Sequence, residues 1–156
     1  HVTGEEIGLK GSKYYTDNPI YSMENTIANL NIDMIGRIDP NQKDDPDYVY
    51  LIGSDMLSQD LHDISEAANK TSVNMRLDYS YNGKDDPNRF YYRSDHYNFA
   101  KNDVPVIFYF NGVHEDYHKA TDTPDKIEYE LYQRRIKLIF ATAWDVANAD
   151  QRPALK

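Results

Sequence analysis

The chain has 156 residues, with 17 basic against 26 acidic side chains and a formal charge of −9 at pH 7. That length suits one domain with a real core, and the acidic balance argues against a polyanionic partner such as nucleic acid. No cysteine is present, which excludes a disulfide scaffold and a thiolate metal site, and no apolar run is long enough for a membrane span.

In chain order, His1 to Thr3 read as the tail of a strand whose beginning lies outside these residues. This predicts a single domain over 1–156 that is the C-terminal part of a longer protein. Gly4, Gly8 and Gly11 surround the carboxylate pair Glu5–Glu6 and allow positive φ or close approach. They turn the chain from that strand into a helix over 11–16, stopped by Asp17-Asn18-Pro19. The run "IANLNIDMI" over 27–35 predicts a strand interrupted by Asp33. A strand over 48–52 is followed by Gly53-Ser54, then by Leu57, Leu61, Ile64 and Ala68 at helical spacing. Residues 75–81 alternate as a strand, 94–101 predict a short helix, and "VPVIFYF" over 104–110 predicts a buried strand. In the last helix Tyr132, Ile136, Ile139, Phe140, Ala143 and Ala147 form one apolar stripe. Strands alternating with helices point to an α/β fold with a largely parallel or mixed sheet.

Three stretches carry ionisable residues that this frame makes conspicuous. Asp33 sits in an apolar strand, where an unpaired carboxylate is costly; a cap or an ion pair would satisfy it, as would a metal. Ser94 or Asp95 is placed to cap the helix that follows. His114 and His118 lie four apart, but Asp116 between them and Thr-Asp-Thr-Pro after them mark a loop. Glu6, Asp33 and His118 each fall at or just after the carboxyl end of a predicted strand, and a parallel sheet gathers such ends on one edge. Carboxylates and an imidazole are suitable ligands for zinc. Glu5, beside a ligand but pointing elsewhere, is placed to take a proton from water.

The segments "TGEEIGLKGSKYY", "NLNIDMIGR", "SDHYNFAKNDVPVIFYFNG" and "DYHKATDTPDKI" occur in the order seen in the co-catalytic zinc aminopeptidases, and over Gly4 to about Ile127 the chain resembles that family. Its clan also holds glutamate carboxypeptidase, transferrin receptor and glutaminyl cyclase. The resemblance implies a three-layer sandwich with a mixed, mostly parallel sheet, lacking its N-terminal strands. It implies that Glu5 is the general base, that Glu6 and His118 hold one zinc, and that Asp33 holds the other. Tyr117 matches a tyrosine that stabilises the oxyanion of the tetrahedral intermediate, and Asp95 and His96 match a pair that supports the site. The family also uses a histidine and a metal-bridging aspartate upstream of the glutamate pair. The upstream part of the same polypeptide is therefore expected to complete the site, with zinc only partly held, or absent, in this chain by itself.

The expected whole protein removes N-terminal residues from peptides, and this stretch alone is expected to be inactive. Two alternatives stand beside that reading. A glutaminyl-cyclase-like acyltransferase usually has tryptophan before the final histidine, where this chain has Tyr117. A non-catalytic interaction domain with the same fold would not need Glu5, Glu6, Asp33 and His118. Relatives of this kind are often exported, so a periplasmic or extracellular location is the expectation.

Overall fold

A computed structural model describes all 156 residues. Helix α1 spans Lys10–Asp17 and starts from Leu9 in the left-handed region, φ 56°. Gly4 and Gly8 precede it at φ 71° and 97°, so the turn holding Glu5 and Glu6 uses the freedom that glycine supplies. Asn18 ends the helix by donating its backbone N–H to the Tyr14 carbonyl. His1 to Thr3, expected as a strand tail, pair with no strand. The Thr3 backbone lies instead against Gly11, where any Cβ would collide with the Thr3 carbonyl oxygen.

Strand β1 is Asn29–Ile32, shorter than the apolar run predicts. Met34 at φ 60° bends the chain out of the sheet, a conformation that a side chain with a Cβ adopts at a cost of about 1 kcal/mol. Strand β2, Tyr48–Ile52, is buried at every position. Helix α2 runs Gln59–Thr71 and is capped by the Ser58 hydroxyl, which accepts from the Leu61 N–H at 3.2 Å. Strand β3 keeps only Arg76–Asp78, because it borders β2 alone and pairs over three residues. Helix α3 is His96–Ala100, strand β4 is Val106–Phe110 and helix α4 is Tyr129–Asn148.

The sheet order is β1-β4-β2-β3. β1 runs parallel to β4, with Ile32 opposite Tyr109, and β2 runs parallel to β3. β2 is antiparallel to β4, with Tyr50 opposite Phe110. The carboxyl ends of β1 and β4 therefore share one edge, and the loops that leave them meet there. One face of the sheet packs Tyr50, Ile52, Val106 and Phe108 against Phe90, Tyr91, Phe99 and Ala100. The other packs Val49, Leu51, Ile107 and Tyr109 against Leu61, Leu138 and Ile139. The result is a three-layer α/β sandwich, with α1 and α3 on the first side and α2 and α4 on the second. No helix is long and apolar enough to cross a membrane.

Helix α4 corrects the expected stripe. Arg135, Leu138, Ile139 and Thr142 are buried, whereas Phe140 and Trp144 are 66% and 60% exposed. The inward face is rotated because Arg135, with no exposed surface, plugs the end of the sheet. Its guanidinium donates to the carbonyls of Ile35 (2.7 Å), Arg37 (3.1 Å), Tyr48 (3.2 Å) and Pro46 (3.3 Å). Burial pushes its pKa down to about 10, which leaves it protonated at neutral pH.

Arg135→Met keeps the stem and removes the donors, leaving the carbonyls of Ile35, Arg37 and Pro46 without their guanidinium partner, while that of Tyr48 keeps the Asn111 amide at 2.9 Å. Each unpaired buried acceptor costs on the order of 1 kcal/mol or more, so the expected loss of stability is at least about 3 kcal/mol. Urea unfolding of the variant should show a clearly lower midpoint; an unchanged midpoint would mean that water replaces the guanidinium without cost.

Candidate metal and catalytic site

Three loops meet at the shared edge of β1 and β4. The first is the tight turn before α1, in which the Glu5 carbonyl accepts from the N–H groups of Gly8 (3.0 Å) and Leu9 (2.9 Å). Its backbone is thereby fixed while the carboxylates of Glu5 and Glu6 remain free to face the sheet edge. The second loop leaves β1 and carries Asp33, whose N–H reaches the Tyr109 carbonyl at 3.4 Å. The third leaves β4 and carries Tyr117 and His118, with His118 in the left-handed region at φ 56°.

The structure brings these side chains together. His118 Nε2 lies 3.2 Å from Glu6 Oε2, both side chains largely exposed, and the Tyr117 ring stacks on His118 at 3.8 Å between centroids. Asp33 accepts from the Ser94 hydroxyl at 2.8 Å, and that oxygen in turn accepts from Asn31 Nδ2 at 3.0 Å. Ser94 is thus used on Asp33 and not as the helix cap that its position suggests; neither it nor Asp95 caps α3 with a side-chain bond. Glu5, Glu6, Asp33 and Tyr117 line a cavity of about 50 Å³ whose remaining wall is mostly Met34, Phe90, Phe108, Phe110 and Val113.

Electrostatics shows what this cluster lacks. The Glu5 carboxyl is pushed up to about 7, first by burial and then by Asp33, Glu6 and Asp95, with His118 acting the other way. Burial likewise raises Asp33, against the Ser94 hydrogen bond, and Glu6 and Asp95 add to the rise. Carboxylates that raise one another release that repulsion when a cation sits among them. Oxygen donors with one imidazole suit a hard or borderline divalent ion, so the residues present fit a metal. Glu6 and His118 are close enough to share one ion, while Asp33 stands apart from that pair.

A second group, His114, Asp116 and Asp122, has ligand atoms within 4.8 Å of one another, and no feature of the sequence pointed to it as a unit. Its carboxylates already have cations. Asp116 accepts from Thr121 Oγ1 at 2.7 Å, Lys126 Nζ at 2.8 Å and Arg37 Nη2 at 3.1 Å, which hold it well below the usual carboxylate range. Arg37 Nη1 also donates to Asp122 at 2.9 Å. The group is a clasp: Arg37, four residues beyond Asp33, ties the second loop to the third, which carries Tyr117 and His118.

The remaining pair lies behind the cavity. His96 is fully buried, its Nε2 2.7 Å from the Tyr91 carbonyl and its ring stacked on Phe108 at 4.7 Å. Burial drives its pKa down to about 4, so it stays neutral. Asp95 keeps one buried oxygen without a partner and contributes to the field felt by Glu5 and Asp33.

The sequence profile described as peptidase family M28 matches residues 1–143. No curated protein matches the chain. Among solved structures, the LapA aminopeptidase of Legionella pneumophila superposes with a TM-score of 0.73 at 22% identity, over 96% of this chain and 38% of that one. BSAP, a zinc aminopeptidase from Bacillus subtilis, gives 0.72 at 21% identity, over 99% of this chain and 37% of that one. An aminopeptidase from Aneurinibacillus sp. strain AM-1 gives 0.70 at 23% identity, over 99% and 33%. The chain thus spans under two fifths of the length of these structures, and the likeness shows that it shares their fold.

The raised Glu5 carboxyl sets a pH dependence. Glu5 binds its proton more tightly folded than unfolded, so its contribution to stability is complete below about 4.5 and is lost as pH rises through about 7. In the metal-free protein the melting temperature should therefore decline across that window. Glu5→Gln should flatten the decline, and an identical profile in that variant would show that Glu5 does not carry it.

Proposed function

The chain belongs to peptidase family M28, and on that premise we propose that it forms the C-terminal part of the catalytic domain of a zinc-dependent aminopeptidase. The observation that carries the reading is the convergence of Glu5, Glu6, Asp33 and His118 on one sheet edge, with the Glu5 carboxyl lifted to about 7. In this reading Glu6 and His118 hold one zinc and Asp33 belongs to the other. Zinc sites of this kind use three protein ligands each, so we assign the remaining donors to polypeptide outside these residues.

When bound, zinc polarises the scissile carbonyl and makes water a usable nucleophile at neutral pH. The rest falls to the chain's own side chains. Glu5 accepts the proton of the attacking water at its carboxylate and returns it to the leaving amine. The Tyr117 hydroxyl donates to the oxygen on which charge develops as the carbonyl carbon becomes tetrahedral. Stacking on His118 sets the Tyr117 ring, and the Arg37–Asp116 clasp sets the loop beneath both. The apolar wall beside the carboxylates receives the side chain of the N-terminal residue and excludes water from it.

Two substitutions in the zinc-loaded whole protein test these roles. Glu5→Gln keeps the shape and removes the base, so turnover should fall at least about 100-fold with zinc content unchanged; near-normal turnover would end the assignment. Tyr117→Phe should lower kcat more than it changes KM. A raised KM with kcat intact would make Tyr117 a binding residue instead.

A further inference from the structure

The cavity beside the carboxylates has one cation in its wall, Arg93. Arg37, Arg76 and Arg134 each pair with aspartates, whereas Arg93 is exposed and has no carboxylate within ion-pair distance. Its guanidinium lies 5.1 Å from the Phe90 ring centroid, and its one hydrogen bond is a long one, 3.5 Å, to the Asn88 carbonyl. Its backbone position is not free, because the next residue, Ser94, is bonded to Asp33 at 2.8 Å.

The residues that line this cavity thus combine three carboxylates, an apolar wall and one guanidinium. Resting on the function proposed above, we propose that Arg93 is a specificity residue that binds a carboxylate of the peptide substrate. The planar fork of arginine matches a carboxylate with two parallel hydrogen bonds, and its seat on Phe90 limits the freedom lost on pairing. The substrate carboxylate has two chemical sources, the side chain of an N-terminal Asp or Glu, or the free C-terminus of a dipeptide.

Two probe pairs separate them in the zinc-loaded whole protein. Glutamyl- and glutaminyl-p-nitroanilide differ in a side-chain carboxylate; alanyl-alanine and its amide differ in the terminal one. A charge-assisted pair at a partly exposed site should be worth about tenfold in kcat/KM. We expect the charged member of one pair to be preferred by that factor, Arg93→Gln to abolish the preference and Arg93→Lys to keep part of it. The pair that splits identifies the source. If neither splits, or if the preference survives Arg93→Gln, the proposal is overturned while hydrolysis of any probe leaves the peptidase reading standing. If no probe is hydrolysed, that reading fails, and calorimetric titration of the same probes decides the proposal. Tighter binding of a charged probe, lost in Arg93→Gln, supports it, and equal binding of charged and neutral probes overturns it.

Discussion

The buried guanidinium of Arg135 is the contact on which the arrangement of the site depends. It is a charge with no exposed surface, held without a carboxylate by four backbone carbonyls from two segments. Such a group is tolerated only where its donors are met, so its position and theirs fix one another. Two of the carbonyls, those of Ile35 and Arg37, belong to the loop that leaves β1, just beyond Asp33. The same loop is held from a second direction, where the Glu128 N–H donates to the Gly36 carbonyl at 2.9 Å as α4 begins. Arg37 then carries the constraint outward through Asp116 and Asp122 to the third loop. A helix on the far side of the sheet thereby sets the spacing between Asp33 and His118.

Against that rigid frame, the site is built from groups that destabilise it. Three carboxylates gather with no lysine or arginine paired to them, and two of them are raised by burial and by one another. Met34 and His118 occupy left-handed backbone next to the side chains in question, a strain of the kind that concentrates where function requires it. The nearby clasp uses the same residue types to the opposite end. Its aspartates are neutralised by Arg37 and Lys126, and Asp116 is held below the ordinary carboxylate range. Two acidic clusters that meet at the loop after β4 therefore differ in whether a protein cation already occupies them.

Much of this was legible in the sequence where a local pattern matched a local cause. The strand over 48–52, the buried strand into Phe110 and the helix ended by Asp17-Asn18-Pro19 follow from apolar runs and stop signals. The glycines around Glu5–Glu6 announced a turn that needs positive φ. What was not legible depended on contacts distant in sequence. Arg135 looks like a solvated residue on a helix, and only the four carbonyls brought to it explain why it displaces Ile136 and Phe140 from the inward face. Ser94 reads as a cap until Asp33 arrives from the other side of the chain. The clasp joins Arg37 to residues about eighty positions away, and His1 to Thr3 carry a strand-like pattern with no strand to pair with.

On the proposed function, the uncompensated cluster, and not the clasp, takes up the metal. Crystals of the protein soaked with zinc and measured at the zinc absorption edge test it directly. Anomalous density is expected between Glu6 and His118, with any second peak beside Asp33 and none at His114, Asp116 and Asp122. A peak within the clasp, with Glu6 and His118 left empty, would contradict it.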